Sequence, residues 1–334
     1  MATTVLVTEL EYSKAPAVFE AAAESRGLRC VPAPREESRL AAAVREQGAS
    51  AVIVGVDPYA GPLYEALPEG SVVARFGVGH DGIDKPKATA ARLLATNTPG
   101  VLDNAVAEHT LWLIGALARH VPAMHGDLAG GTWQARMGHE VRGKRLAVLG
   151  CGSIGARVAR MASLGLGMAV VGFDCAPRDA LPGLCGLELH DFTADLAEAV
   201  AEADYVSVHL PAIAATHHLC DASFFAAVRR GASFVNTSRG SLVDERALFE
   251  ALASGQLAAA ALDVFEHEPY EPVDPAMDLR TLDNVILTPH AASTTAEACR
   301  AVAESALANV RAGLERRFGD MALLNPDVVP HLEQ

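Results

Sequence analysis

The amino-acid sequence predicts an α/β protein built from two doubly wound parallel sheets. Short β-branched runs alternate with amphipathic stretches along most of the 334 residues, which is typical of parallel strands joined by helices. A turn-rich break, Asn97-Thr98-Pro99-Gly100, separates two such alternating blocks. At roughly 150 residues per domain, the length also favours two compact domains. We therefore interpret the break as a hinge between two domains.

In the first block, short β-branched runs predict strands and amphipathic stretches predict helices. The elements are, in order, a strand at 4–7, a helix to about residue 25, a strand at 29–32, a helix to about residue 47, and strands at 51–54 and 72–76. This rhythm predicts a parallel sheet with helices packed on it.

The second block begins after a long apolar helix at about 104–119. Its predicted strands lie at 145–149, 169–173, 205–209, 233–236, 259–264 and 285–287, with helices up to residue 164, near 196–202 and before residue 230. These strands are enough for a complete doubly wound domain. One more amphipathic helix, at about 295–314, is expected to return to the first domain.

Composition excludes several classes of function. The chain carries 27 basic and 41 acidic residues, and this formal charge of −14, without a basic patch, argues against nucleic acid as a partner. It starts without a basic leader and has no uninterrupted apolar run of about 18 residues, so we expect no membrane span and a cytoplasmic protein. The six cysteines lack CxxC or Cys/His spacing, which predicts reduced thiols and no metal site.

A glycine pattern predicts the nucleotide site. Gly150-Cys151-Gly152-Ser153-Ile154-Gly155 fits GxGxxG directly between a predicted strand and a predicted helix, where backbone N–H groups can approach a pyrophosphate. Asp174 ends the next strand, where its carboxylate can accept hydrogen bonds from ribose hydroxyls and repel a 2′-phosphate. This favours NAD as cofactor. Arg178, four residues further on, leaves NADP open.

Polar residues that follow the later strands predict the reaction site, because these strand ends face the ligand crevice of an open α/β sheet. Arg239 can bind a carboxylate through two hydrogen bonds, His290 can donate a proton near neutral pH, and the Glu268 carboxylate can favour the protonated imidazole. These groups are what hydride chemistry on a keto acid requires. On this observation alone, three unrelated surface residues at strand ends are an equal alternative.

Several motifs, in order along nearly the whole chain, resemble those of one enzyme family. They are Arg75-Phe76-Gly77-Val78-Gly79-His80-Asp81-Gly82-Ile83-Asp84, Asn97-Thr98-Pro99-Gly100, Val106-Ala107-Glu108, the glycine pattern, Val208-His209-Leu210-Pro211, Asn236-Thr237-Ser238-Arg239-Gly240, Ala261-Leu262-Asp263-Val264-Phe265 and Thr288-Pro289-His290. With this set, the chain resembles the D-isomer-specific 2-hydroxyacid dehydrogenase family.

The resemblance implies a Rossmann NAD-binding domain at 103–293, inserted into a flavodoxin-like substrate-binding domain formed by 1–102 and 294–334. It also implies a homodimer, with a dimerisation helix near 104–120. The implied reaction transfers a hydride between NAD and C2 of a small D-2-hydroxy acid or 2-keto acid such as hydroxypyruvate, glyoxylate or 3-phosphoglycerate.

The resemblance also assigns site residues. The family's catalytic arginine, glutamate and histidine fall on Arg239, Glu268 and His290. Its substrate contacts fall on Val78 and Gly79, whose backbone N–H groups would meet the substrate carboxylate, and on Arg75, which could meet a substrate phosphate or instead form a salt bridge. Its cofactor contacts fall on Gly150, Gly152, Ser153, Ile154, Gly155, Asp174, His209, Leu210, Pro211, Thr216, Thr237, Ser238, Arg239, Asp263, His290 and Ala292.

Departures from the family pattern leave the substrate open. Gly82 stands where family members commonly carry asparagine, and Ala292 and Ser293 stand where they carry glycines. Glu268 is an acid where the related formate dehydrogenases have glutamine, which argues against formate. The alternatives to a 2-hydroxyacid dehydrogenase are a non-catalytic NAD-sensing scaffold or corepressor and a phosphite dehydrogenase.

The remaining histidines and tryptophans have no predicted catalytic role. His109, His120 and His125 lack the spacing of metal ligands, and we expect them at the surface or at an interface. Trp112 and Trp133 are predicted to pack at an interdomain or subunit contact.

Overall fold

The chain forms two compact units in a computed structural model that describes residues 2–333. One unit runs to Leu102 and resumes at Thr294, and the other spans Asp103–Ser293. Each unit holds a parallel sheet with interleaved helices, so the predicted α/β class is confirmed. None of the helices within these residues is long and apolar enough to cross a membrane.

Strands and helices alternate through most of the chain. In chain order they are β1 (Thr3–Thr8), α1 (Glu9–Lys14), α2 (Pro16–Arg26), β2 (Leu28–Ala33), α3 (Glu37–Gln47), β3 (Ala51–Val54), α4 (Leu63–Ala66), β4 (Val72–Arg75), α5 (Lys85–Ala90), β5 (Leu94–Thr96), α6 (Asp103–Arg119), α7 (Val121–Ala129), β6 (Arg145–Leu149), α8 (Ser153–Leu166), β7 (Ala169–Phe173), β8 (Asp191–Thr193), α9 (Leu196–Val200), β9 (Tyr205–Val208), α10 (Ala222–Ala227), β10 (Ala232–Asn236), α11 (Glu245–Ala253), β11 (Leu257–Leu262), β12 (Val285–Leu287), α12 (Ala296–Leu314) and α13 (Val329–Leu332).

The first unit is built on five parallel strands in the order β2-β1-β3-β4-β5. This is the flavodoxin-like order, in which the direction of sheet growth reverses between β1 and β3. Every residue of β3 and β4 is buried, as expected for parallel strands covered on both faces. Helix α12, from the resumed segment, packs against β4 and β5 as predicted.

The second unit is built on seven strands in the order β12-β11-β10-β9-β6-β7-β8, all parallel. Strands β6, β7 and β8 are added side by side in one direction, and the chain then crosses to β9 on the other side of β6. This is the Rossmann order. Along β6, Ala147 and Leu149 pack into one core and Leu146 and Val148 into another, because alternate side chains point to opposite faces. A ligand crevice is expected at the carboxyl ends, where the order reverses between β6 and β9.

The single helix predicted before residue 25 is wrong. The structure ends α1 at Lys14 and starts α2 at Pro16, with Ala15 between them at φ −148°. A proline disfavours helical backbone at the residue before it, so the chain leaves the helix at Ala15.

Other boundaries also differ from the prediction. β11 ends at Leu262 rather than at residue 264, so Asp263 lies in the loop at the carboxyl edge of the sheet. The prediction lacks β5 and β8, which have three residues each and are too short to show an alternation. It also lacks α7 and α11, although Asp244 provides a recognisable N-cap for α11.

Candidate active site

The carboxyl edge of the second sheet gathers most of the predicted site residues. Strands β9, β10, β11 and β12 are neighbours, and each one ends just before a stretch of predicted site residues. The residues that follow these strands include His209, Thr237, Asp263 and His290. Because the strands are parallel and adjacent, their following loops lie side by side.

The glycine pattern forms a turn that leads into the N-terminus of α8. Gly150 has φ +91°, and a Cβ there would lie 2.7 Å from the His209 carbonyl oxygen. A Cβ on Gly155 would lie 1.9 Å from the Gly150 carbonyl oxygen, whereas a Cβ on Gly152 would meet no atom within 4 Å. Packing therefore requires the outer glycines, and the middle one leaves open space where the N-terminus of α8 can receive an anionic group.

Asp174 lies directly after β7 and contacts the glycine turn. Its Oδ2 accepts the Cys151 N–H at 2.8 Å, and its Oδ1 accepts the Ala176 N–H at 3.0 Å. Each carboxylate oxygen can accept a further hydrogen bond, so the group suits a pair of ribose hydroxyls. Nearby, Arg178 donates through Nη2 to the Leu187 carbonyl at 2.5 Å. The turn, the helix N-terminus and the acid together fit the dinucleotide predicted from the sequence.

Ser153 and Ile154, two of the predicted cofactor contacts, form the first turn of α8. The Ser153 hydroxyl donates to Asp103 Oδ2 and also accepts a hydrogen bond from Arg157 Nη1 at 2.7 Å. Asp103, the first residue of α6, is buried and also lies 3.2 Å from Arg157 Nη1. This charge network fixes the start of α8 against α6.

The loop after β9 holds His209, Leu210, Pro211 and Thr216. The Thr216 hydroxyl donates to the Pro211 carbonyl at 2.6 Å, and the Ser238 hydroxyl donates to the Leu210 carbonyl at 2.6 Å. His209 Nε2 lies 2.8 Å from the Ser207 hydroxyl oxygen. Burial lowers the pKa of His209 to about 4, so this ring is neutral at pH 7.

His290 and Glu268 form a direct hydrogen bond. His290 Nδ1 lies 2.7 Å from Glu268 Oε2, and Glu268 Oε1 accepts the Phe265 N–H at 3.1 Å. Burial alone would raise the pKa of Glu268. The hydrogen bond from His290, the His290 charge, the Phe265 N–H and the Arg239 charge outweigh burial and hold the pKa of Glu268 below its usual value. The pair is therefore an imidazole oriented by an ionised carboxylate.

Asp263 fixes the segment that carries His290. It is fully buried, and its Oδ1 accepts the Thr288 hydroxyl at 2.5 Å and the Ala291 N–H at 2.8 Å. Its Oδ2 accepts the Ala292 N–H at 2.8 Å, and its carbonyl oxygen accepts the His290 N–H at 2.8 Å. His290 itself has φ +51°, a left-handed conformation that an ordinary residue adopts only where its surroundings impose it.

Arg239 follows β10 in a turn organised by Asn236. The Asn236 amide donates to the Arg239 carbonyl at 2.8 Å and accepts the Ser238 N–H at 3.0 Å. Arg239 Nη1 donates to the Ser238 carbonyl at 2.6 Å. Thr237, in the same turn, is hydrogen-bonded to Thr110 of α6 through the two hydroxyls, 2.8 Å apart.

One site residue was missed by the sequence prediction. His109 of α6 was expected at a surface or interface, but its Nε2 lies 3.3 Å from the Thr288 hydroxyl and 3.7 Å from Asp263 Oδ1. No spacing rule relates residue 109 to residues 263 and 288, so only the folded sheet brings them together. His120 and His125 are exposed, as expected.

The predicted substrate contacts lie in the first unit. Arg75 ends β4 and is only 8% exposed, with its guanidinium donating to the Phe76 carbonyl. The Gly77 carbonyl accepts the Thr98 N–H at 3.0 Å, and the Val78 carbonyl accepts the Asn97 side-chain amide at 2.7 Å. The break at 97–100 therefore anchors the loop that holds Val78 and Gly79. Within residues 2–333, no group of three histidine, cysteine or acidic side chains could hold a metal ion.

Comparison with known proteins identifies the family. Residues 111–292 match the model of the D-isomer specific 2-hydroxyacid dehydrogenase NAD-binding domain. A glyoxylate reductase of Korarchaeum cryptofilum is 38% identical over 279 residues, which are 82% of this chain and 81% of the relative. A hydroxypyruvate reductase of Thermotoga maritima is 39% identical over 244 residues, which are 72% of this chain and 76% of the relative.

A solved structure agrees with these relatives. The NADPH-dependent glyoxylate/hydroxypyruvate reductase of Sinorhizobium meliloti, in complex with NADP and malonate, is 30% identical, with a TM-score of 0.78 over 93% of each chain. The family model covers more than half of this chain, and both relatives cover more than two thirds of it. The chain therefore belongs to the D-isomer specific 2-hydroxyacid dehydrogenase family, whose members are nicotinamide-dependent oxidoreductases.

Proposed function

We propose that the chain is an NAD-dependent D-2-hydroxyacid dehydrogenase that acts on a small 2-keto or 2-hydroxy acid. The observation that carries the proposal is the 2.7 Å bond between His290 Nδ1 and Glu268 Oε2, close enough to Arg239 for its charge to act on Glu268. A proton donor, an acid that stabilises it and a carboxylate-binding cation are the groups that this reaction needs. The substrate class is glyoxylate, hydroxypyruvate or 3-phosphoglycerate-like.

The proposed mechanism assigns one task to each group. When bound, the nicotinamide would supply the hydride for C2 of the keto acid. His290, with Nδ1 bonded to Glu268, donates its other ring proton to the keto oxygen, and the ionised Glu268 stabilises the imidazolium before transfer. Arg239 binds the substrate carboxylate and polarises the carbonyl. In the oxidative direction His290 accepts the proton instead.

The proposed cofactor is NAD rather than NADP. Asp174 presents a carboxylate beside the glycine turn, where it would repel a 2′-phosphate, and Arg178 is bonded to the Leu187 carbonyl. The related reductase of Sinorhizobium meliloti is NADPH-dependent, so the proposal of NAD depends on the Asp174 carboxylate of this chain. Gly150, Gly152, Gly155 and the first turn of α8 are proposed to hold the pyrophosphate.

Two relatives favour a small unphosphorylated acid over 3-phosphoglycerate. The glyoxylate reductase and the hydroxypyruvate reductase match this chain over more than two thirds of both lengths, whereas a D-3-phosphoglycerate dehydrogenase of Methanocaldococcus jannaschii matches over 48% of its own length. Arg75, which could meet a substrate phosphate, is only 8% exposed and donates to the Phe76 carbonyl. We therefore rank glyoxylate and hydroxypyruvate first, with Val78 and Gly79 as the proposed backbone contacts of the substrate.

We propose that the unit Asp103–Ser293 binds the cofactor and that the other unit binds the substrate. We also propose that the chain forms a homodimer. Large apolar side chains of α6, α7, α8 and the segment after α7 are exposed: Trp112 71%, Val121 51%, Leu128 56%, Trp133 90% and Leu164 71%. A second copy of the chain would cover such exposed side chains. The six cysteines are free thiols, which supports a reducing compartment such as the cytoplasm.

The proposal is tested by NADH oxidation at neutral pH with glyoxylate, hydroxypyruvate, pyruvate, 2-ketobutyrate, phenylpyruvate and phosphohydroxypyruvate, repeated with NADPH. Turnover of one small keto acid, faster with NADH, is the expected result. Bound NADH without turnover of any acid, or NAD reduction by phosphite alone, would contradict it. Light scattering with size-exclusion chromatography tests the dimer, and a monomer mass would refute that part.

A further inference from the structure

A pair of acids outside the reacting groups joins the loop that carries Arg239 to the loop that carries Glu268. Glu245 is the first residue of α11, and Glu266 lies two residues before Glu268. The Glu245 N–H donates to Glu266 Oε1 at 3.1 Å, and the Glu266 N–H donates to Glu245 Oε1 at 2.8 Å. We call this pair the glutamate clamp. Each side chain is thereby bonded to the backbone of the other loop.

The two loops also meet at Gly240, the residue after Arg239. A Cβ on Gly240 would lie 1.9 Å from the carbonyl carbon of Phe265 and 2.5 Å from the Glu266 nitrogen. Any side chain here would push the loops apart, because real Cβ atoms do not approach other atoms this closely. Phe265 in turn donates its N–H to Glu268 Oε1 at 3.1 Å. The position of Glu268 relative to Arg239 therefore depends on how tightly the two backbones are held.

A third loop approaches the clamp at His218. His218 Nε2 lies 3.2 Å from Glu266 Oε2 without forming a hydrogen bond, and the His218 N–H donates to the Ser241 carbonyl at 2.9 Å. His218 has φ +50° and follows Thr216 by two residues, so it belongs to the loop after β9. The clamp thus joins the loops that follow β10 and β11, and the loop that follows β9 is bonded to the Ser241 carbonyl between Arg239 and Glu245.

Helix capping does not explain Glu245. The N-cap of α11 is Asp244, whose side chain accepts the N–H groups of Arg246 and Ala247. Glu245 is only 4% exposed, and its Oε2 has no hydrogen-bond partner within the described residues. Burial, followed by the charges of Glu266 and Glu268, raises the pKa of Glu245 above its usual value. A buried acid with an unpartnered oxygen opposes folding, so the stability of α11 gives no reason for its presence.

We propose that Glu245 and Glu266 are positioning residues that set the spacing between Arg239 and Glu268, and through Glu268 the orientation of His290. The inference rests on the proposed function for its kinetic consequence, since the reacting groups it positions are those assigned above. Its effect should fall on the chemical step, because misplacement of a reacting group by about 1 Å can lower the rate about 100-fold without weakening cofactor binding.

The test compares Glu245→Ala, Glu245→Gln and the control Glu250→Ala, an exposed acid on the same helix. Alanine removes the oxygen that accepts the Glu266 N–H, whereas glutamine keeps it and resembles a protonated acid. We expect Glu245→Ala to lower kcat about 10- to 100-fold, with the Kd for NADH and the KM for the keto acid within about twofold of the parent. Glu245→Gln and Glu250→Ala should keep at least about half of the parent kcat.

A second readout does not need turnover. In the NMR spectrum of protein labelled with 15N-histidine, the Nδ1–H proton of His290 should give a downfield signal. The signal is assigned to His290 by its absence from the spectrum of His290→Gln. We expect Glu245→Ala to shift this signal upfield or abolish it, and Glu245→Gln to leave it in place. A parent-like signal and kcat in Glu245→Ala, or equal losses in Glu245→Gln, would overturn the proposal. If the parent turns over no acid, the proposed function fails, and the His290 signal still decides whether the clamp positions the pair.

Discussion

Replacing Asp263 by asparagine should destabilise the second unit and release His290. Asp263 is fully buried, and its two carboxylate oxygens accept the Thr288 hydroxyl and the N–H groups of Ala291 and Ala292. Asparagine keeps one carbonyl oxygen, which can serve Thr288 and Ala291. Its NH2 group then faces the Ala292 N–H, so one hydrogen bond to a charged acceptor is lost and two donors meet without an acceptor.

The magnitude follows from that single bond. A hydrogen bond to a charged group contributes about 1.5–3 kcal/mol to the free energy of unfolding. For a unit of this size, 1 kcal/mol shifts Tm by about 2–4 °C, so Tm should fall by about 3–12 °C. The Ala291–Ala292 segment would also no longer impose the left-handed backbone of His290, so kcat should fall together with stability.

Urea unfolding and calorimetry measure this effect, with Asp283→Asn as the matched control because Asp283 is exposed. The control should lie within about 0.5 kcal/mol of the parent, as expected for a surface change. A free energy of unfolding for Asp263→Asn within the same range would refute the reasoning, since it would mean that the buried carboxylate contributes no net hydrogen bonding.

Three further predictions concern the glycine turn, Asp174 and Glu268. Gly152→Ala should fold normally, because a Cβ there meets no atom within 4 Å, but calorimetry should show a Kd for NADH that is raised about 10-fold or more. Gly155→Ala should instead lower Tm, and an unchanged Kd for Gly152→Ala would place the pyrophosphate elsewhere. Asp174→Ser should raise the ratio of kcat/KM for NADPH over NADH about 10-fold, and an unchanged ratio would remove Asp174 as the selector. The pKa of Glu268 is lowered in the folded chain, so its charge stabilises the fold above the ordinary glutamate pKa of about 4.3 and this contribution is lost as the pH falls through the folded-state value. Urea unfolding of the parent and Glu268→Gln should therefore show a stability difference that shrinks as the pH falls through the folded-state pKa of Glu268. A difference that grows over this acidification would contradict the shift.

The parts of the site that could be predicted from the sequence are those in which neighbouring residues act together. The glycine turn and Asp174 lie on consecutive elements, so strand, turn, helix and acid can be recognised as one pattern. Arg239 and His290 could be chosen because each follows a strand, and parallel strands end at the same edge.

Contacts between distant segments could not be predicted in this way. The approach of His109 to Thr288 depends on the packing of α6 beside β10 and β11, which no local pattern specifies. The glutamate clamp depends on the close contact of Gly240 with Phe265, and this follows from the pairing of β10 with β11 and the paths of their loops. The role of Asp263 was obscured further because the predicted strand extended over it, whereas β11 ends at Leu262.

The central claim is that His290 transfers the proton in a reaction of a small keto acid. Its most direct test is the kcat of His290→Ala with NADH and the keto acid that the parent uses best, with NADH binding measured on the same preparation. We predict that kcat falls about 10²- to 10⁴-fold, as for loss of a general acid, while the Kd for NADH stays within about twofold of the parent. A kcat close to that of the parent would contradict the proposed mechanism.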